Sequence, residues 1–236
     1  MKVTAEQIQQ LYHFTEQHFV QFYDLQTELV DHLANSIEAH WRVNQNTNFD
    51  DVLLLEFKKF GVFGFQDIIE KQRDALRKSY NLIVWNNFKN FFSLPKLIGT
   101  ILSIAILFQI LLKVSFAENL LLAIYLVLII IIILKLFVDK KNAKSKFKQT
   151  TKKYMFDDCI QNYGYTGVLS IFGSVIPQAM THSNFFLTLQ PPWLLLFCFM
   201  LVSLTIFFYI ILFQIPQKRE HYLLKKYPNL KFTSNL

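Results

Sequence analysis

The run Leu120–Leu134, LLLAIYLVLIIIIIL, sets the terms for the rest of the chain. It places fifteen apolar residues in a row, and Leu136, Phe137 and Val138 extend it past Lys135. A helix crossing a hydrocarbon core of about 30 Å needs ~20 mostly apolar residues, and the segment 119–138 has that length. A helix on the surface of a soluble core keeps a polar stripe toward solvent; this run has none. The spacing predicts a transmembrane helix.

Once one segment is committed to a bilayer, its neighbours read differently. Three more stretches are apolar enough to join it, at about 94–112, 163–184 and 193–215. Pro95 opens the first, and Gly99 and Ser103 form a small-xxx-small pair for close helix approach. The short turn Lys113–Glu118 makes spans one and two a hairpin. Span three carries Gly164, Gly167, Gly173 and Pro177, which membrane helices tolerate. Pro216 stops span four. With 53% hydrophobic residues, 25 Phe and a mean hydropathy of +0.28, the chain is too apolar for an ordinary soluble domain of its length.

Charge divides the sequence. Residues 1–93 carry nine Lys/Arg against twelve Asp/Glu, a net −3; residues 94–236 carry fifteen against five, a net +10. An acidic N-terminal module followed by a membrane domain with basic flanks is expected. The connection 139–158 holds Lys140, Lys141, Lys144, Lys146, Lys148, Lys152 and Lys153, and the tail 217–236 is also basic. The other two connections carry only Lys113. By the positive-inside rule the basic segments face the cytoplasm. The expected location is therefore a bacterial cytoplasmic membrane, crossed four times, with both termini cytoplasmic. The lysine run is the expected contact for anionic inner-leaflet lipids. No signal peptide is expected from the polar, helix-forming start MKVTAEQIQQ.

The first 90 residues read as an all-α bundle of four helices. Thr4 and Gln7 form a capping box, and Ile8, Leu11, Tyr12, Thr15 and Phe19 follow at helical spacing. Leu25, Leu29, Leu33, Ile37 and Trp41 recur every fourth position in a second helix that starts at Asp24. Asn48 is the expected cap of a third, with Asp50 and Asp51 in its first turn. Gly61 falls where a left-handed C-cap belongs, and a fourth helix runs from Gln66 towards Trp85. The predicted layout is a bundle over 1–90, a membrane domain over 91–216 and a tail over 217–236.

No catalytic constellation emerges. Cys159 and Cys198 form neither a CxxC nor a disulfide framework. Glu28 and His32, four apart, with Asp31, Glu38 and His40 nearby, have a spacing that could ligate a metal. No second ligand pair accompanies them, so a charged helix face is the simpler reading. The corner Lys58–Phe65, KKFGVFGF, contains the GxxG and basic-aromatic mixture of KH and RRM modules, which require β-strands. Helical patterning here favours a helix–turn–helix corner with Phe57, Phe60, Phe63 and Phe65 as core. Lys113, Lys135 and His182 lie at span ends, where lysines snorkel. Neither a cofactor, a metal site nor direct nucleic-acid contact is expected.

The run Tyr23-Asp-Leu-Gln-Thr-Glu-Leu-Val-Asp-His-Leu33, then Ile37-Glu38, then Phe57-Lys-Lys-Phe-Gly61 leading into Asp67-Ile-Ile-Glu, resembles the HTH-associated α-helical signalling (HAAS-like) module. The resemblance covers about residues 15–80. It implies a short cytoplasmic helical bundle ahead of several transmembrane helices, signalling by protein contact, and a PadR-type transcription regulator as partner. The expectation is a non-enzymatic membrane signalling or regulatory protein. Glu28, Asp31, His32 and Glu38 would form its partner-docking face, and its spans would sense membrane state or form a homo-oligomer. A small transporter or transporter component is the second reading, on the broken third span and Pro177.

Overall fold

The computed structural model describes residues 1–113, 117–149, 152–170 and 190–228. Every regular element among them is helical, as apolar spacing of three to four predicts. In order these are α1 (Ala5–Gln17), α2 (Tyr23–Val43), α3 (Phe49–Lys58), α4 (Gln66–Lys89), α5 (Lys96–Lys113), α6 (Ala117–Gln149), α7 (Met155–Asp158), α8 (Gly164–Ser170), α9 (Pro191–Gln217) and α10 (Arg219–Lys226). The chain forms two compact units. The first is Met1–Lys78 with Gln149–Cys159; the second is Ser79–Lys148 with Ile160–Leu236.

In the first unit, α1 starts on the expected capping box: the Gln7 N–H donates to Thr4 Oγ1 at 3.3 Å and the Thr4 N–H to Gln7 Oε1 at 2.9 Å. Leu25, Leu29, Leu33, Ile37 and Trp41 are all buried along α2, with Leu33 and Ile37 at 0% exposure. Burying such a side chain contributes about 1.5–3 kcal/mol, so this stripe is the spine of the core. α1 and α3 pack on α2, and Leu11 of α1 and Val52 and Leu53 of α3 are buried with this stripe; Ile69 and Leu76 of α4 are buried as well. Asn48 occupies the N-cap position of α3 without a side-chain cap bond. The Trp41 indole N–H instead fastens the α2–α3 turn through the Thr47 carbonyl at 3.0 Å.

Two local expectations need correction. Phe19 lies outside α1, which ends at Gln17; it is 78% exposed and takes φ +65°. Of the four aromatics at the α3–α4 corner, only Phe65 is fully buried; Phe57 and Phe60 are half-buried and Phe63 is 72% exposed. A tight turn points successive side chains in different directions, so not all four rings can enter one core. The end of the basic connection packs on the start of α2. The Tyr23 N–H donates to the Lys153 carbonyl at 2.7 Å and the Met155 N–H to Asp24 Oδ1 at 3.1 Å, and Met155 and Phe156 are buried.

In the second unit, α5 and α9 are long and apolar enough to cross a membrane. Only 11% and 28% of their apolar windows are buried, unlike core helices of a soluble protein. They pack on each other through Leu111, Leu194 and Cys198. Gly99 and Ser103 do not serve that contact: both are exposed, and the Ser103 hydroxyl donates back to the Gly99 carbonyl at 2.9 Å. The apolar run Leu120–Leu134 lies within α6, a 33-residue helix that continues into the lysines as far as Gln149. The predicted third span is described only as far as Ser170; Gly173, Pro177 and His182 fall outside the described residues. Nor does Pro216 end the last long helix. The π-helical turn Ile210–Gln214 precedes it and the helix runs on to Gln217. A proline ring clashes with the carbonyl four residues back, and a wider turn shifts that carbonyl out of register.

A bulky residue at positive φ costs roughly 1–2 kcal/mol, and the exposed Phe19 ring recovers little of it by packing. Phe19→Gly should therefore raise the thermal midpoint of the purified protein. Gly64→Ala should lower it, because Gly64 has φ +55° and an added Cβ would come within 2.8 Å of the Phe57 ring. Scanning fluorimetry of both variants checks the pair; a Phe19→Gly protein that melts earlier would show that this ring stabilises the fold.

Candidate functional site

Among the described residues, two places gather polar side chains that bear on function. The first lies in the second unit, where the end of α4 meets the π-helical turn of α9. Asn87 is 9% exposed. Its Nδ2 donates to the Ile83 carbonyl at 2.8 Å and to the Tyr222 hydroxyl at 3.2 Å, and its Oδ1 accepts from Gln214 Nε2 at 2.8 Å. An amide can make four hydrogen bonds, and a buried one that made none would cost several kcal/mol. Gln214 itself is less well served: its Oε1 is buried and finds no partner among the described residues.

The π-helical turn buries Ile210, Ile211 and Leu212 in succession, which a regular surface helix would not. A second π-helical turn, Cys159–Tyr163, delivers Gly164 into the same junction. There a Cβ would overlap the Tyr80 hydroxyl and come within 3.2 Å of Ile211. Glycine is required because two helices close in on that backbone. Beside it, the Lys135 ammonium pairs with Asp139 at 2.7 Å, lies 5.7 Å from the centre of the Phe213 ring, and shares Asp139 with a donating Tyr165 hydroxyl. Lys135 is thus an ion-pair partner, where the sequence suggested a snorkelling lysine.

The second place is the acidic face of α2. Glu28, Asp31 and His32 are exposed, and the His32 ring lies 6.0 Å from that of Phe60. Glu38 does not share this open face: it is half-buried and accepts a hydrogen bond from the Val3 N–H at 3.0 Å. Of the lysine run, Lys141, Lys152 and Lys153 are exposed, while the side chains of Lys140, Lys144, Lys146 and Lys148 lie outside the described residues. The Lys152 ammonium sits 3.8 Å from the centre of the Tyr23 ring. Its hydrogen bond holds the Tyr23 hydroxyl below the usual tyrosine range and in turn raises the lysine.

Burial pushes the Cys159 thiol up to about 11, so it is a poor nucleophile at neutral pH. Among the described residues no three His, Cys, Asp or Glu side chains converge as metal ligands would. A groove of about 450 Å³ between α1 and α3, lined by Gln10, His13, Phe49 and Asp50 among others, is wide open to solvent. What the second-unit junction can do is lock helices together. Sequence reasoning missed it, because Asn87 lies 127 residues from Gln214 and 135 from Tyr222. The available signal was polar residues at the ends of apolar segments; π-helical turns have no comparable sequence mark.

No protein-family model, curated protein or solved structure matches the chain.

Gly164→Ala should destabilise the second unit, since interiors are packed too tightly to absorb a methyl without shifts costing typically 1–3 kcal/mol. Adding Tyr80→Phe removes the atom that the methyl meets first, and the two changes together should cost less than their sum. Thermal unfolding of both single variants and the double variant gives the coupling. Simple additivity would mean that the two residues do not press on each other.

Proposed function

We propose that this chain is a non-enzymatic integral membrane protein of the signalling or regulatory class, whose helical bundle docks a soluble partner. The observation that carries the reading is α4, a single unbroken helix. Ile69 and Leu76 from it enter the core of the first unit, while Tyr80, Val84 and Asn87 are buried in the second. A partner that shifted or rotated the first part of α4 would act on a helix whose later residue Asn87 is bonded to the end of α9. Coupling requires two arrangements that the partner binds unequally, and a short polar network such as Asn87–Gln214–Tyr222 can exchange between discrete partner sets.

The docking surface in this reading is the exposed part of the α2 face, Glu28, Asp31 and His32. An acidic face suits a basic partner, and a DNA-binding regulator of the PadR kind has that character. The membrane arrangement is four spans with both termini cytoplasmic. Support comes from the apolar lengths of α5 and α9, the apolar run within α6 and the lysine-rich connections. Anionic inner-leaflet lipids serve as counter-charge to the lysines, and the open Gly99–Ser103 face of α5 is where two copies would meet in a homo-oligomer. A small transporter is the alternative; substrate-dependent flux in proteoliposomes would favour it.

Exposed charges mainly steer association and set its specificity. Glu28→Lys with Asp31→Lys in the full-length protein should slow capture of the partner and flatten its salt dependence, with the thermal midpoint unchanged. Unaltered capture at every salt concentration would place docking elsewhere. For topology, a reporter active only outside the cytoplasm, fused after Leu236, should be silent; an active one would overturn the arrangement.

A further inference from the structure

The first unit has an end where apolar side chains are held out into solvent by a firm scaffold. Val62 is 97% exposed and Phe63 72%, on a corner fixed by the Gly61 N–H to the Lys58 carbonyl at 3.1 Å and the Gln66 N–H to the Phe63 carbonyl at 3.1 Å. Gly61 and Gly64 supply φ values of +82° and +55°. Phe65, next to them, is 1% exposed and packs on Phe57 and Phe60 with ring centres 5.0 and 4.9 Å apart. The corner is therefore anchored by one aromatic while it presents another.

The same end carries the α1–α2 turn. His18 lies 4.3 Å from the Phe57 ring, and Phe19 follows it, exposed and in left-handed backbone. A chain gains nothing for its own fold from a solvent-facing phenylalanine in that conformation. Basic residues accompany the three apolar ones. Lys58 is exposed on the last turn of α3, and Lys152 and Lys153 are exposed where they pack on Tyr23 at the start of α2. Lys59 neutralises Glu56 at 2.6 Å, and the Asp24 carboxylate is taken by the Met155 N–H. Glu16 and Asp67 are the exposed acids nearest in sequence.

We infer that this end of the first unit is a membrane-docking face: Phe19, Val62 and Phe63 enter the headgroup–acyl boundary of an anionic leaflet, and Lys58, Lys152 and Lys153 contact its phosphates. Exposed apolar patches mark interaction sites. A bilayer is the occupant because the same chain carries helices apolar enough to hold this unit at a membrane surface, and because an apolar tip with lysines around it matches the layered chemistry of that surface. Tethering also removes most of the entropic cost of association. The inference rests on the membrane reading of α5 and α9, and adds to it a lipid contact made by the bundle itself.

The test places a spin label at position 63, by Phe63→Cys, in the full-length protein in lipid nanodiscs. The native thiols Cys159 and Cys198 are buried, so the introduced thiol reacts first. A label at Asn46, in the turn at the far end of α2, is the control. In phosphatidylcholine mixed with phosphatidylglycerol, the label at 63 should gain oxygen collisions and lose nickel-chelate collisions, to a depth of roughly 5–10 Å. The label at 46 should stay in water. Insertion should fall in phosphatidylcholine alone and in a Lys58→Gln, Lys152→Gln, Lys153→Gln variant. Equal water exposure at 63 and 46 would overturn the inference. So would protection that is the same in both lipids, or that appears in detergent as protein concentration rises, the mark of a second copy. Failure to enter nanodiscs would instead refute the membrane reading, and flotation with vesicles of the same two compositions would then decide docking by itself.

Discussion

Asn87 is the polar group on which the second unit turns. A buried primary amide needs both a donor and an acceptor opposite it, and apolar helices offer few of either. Here the acceptors are the Ile83 carbonyl and the Tyr222 hydroxyl, and the donor is Gln214. Those partners come from α4 itself, α10 and the π-helical turn of α9. Satisfying one side chain therefore fixes the mutual position of three segments. The wider turn at Ile210–Gln214 serves this twice: it presents Gln214 inward, and it lets the helix pass Pro216. Gly164 completes the junction by allowing α8 to approach Tyr80 and Ile211 more closely than any side chain would permit.

The first unit is held differently. Its stability comes from a regular apolar stripe on α2, and its polar contacts lie at the edges: the capping box, the Trp41–Thr47 bond and the Met155–Asp24 bond. Such a core tolerates change on its surface, which leaves the exposed faces open to other use. One face is acidic, at Glu28, Asp31 and His32. One end is apolar and basic, at Phe63 and Lys152.

The sequence by itself determined the helical class, the α2 stripe from Leu25 to Trp41, the capping box at Thr4, the left-handed Gly61 and the apolar lengths of the long helices. All of these follow from interactions within about four residues, or from a count of apolar residues. Tertiary structure decided what depends on distant partners. Phe63 is exposed while Phe65 is buried, although both are phenylalanines in one corner, because the turn aims only one at Phe57 and Phe60. Asp139, the helical neighbour of Lys135, has a second partner because Tyr165 arrives from another segment. Glu38 is occupied because the start of the chain folds onto it. Lys153 is tied to α2 through a backbone carbonyl, which no side-chain pattern reports. Periodicity records which face of a helix is apolar; it carries no information about which surface another segment will reach.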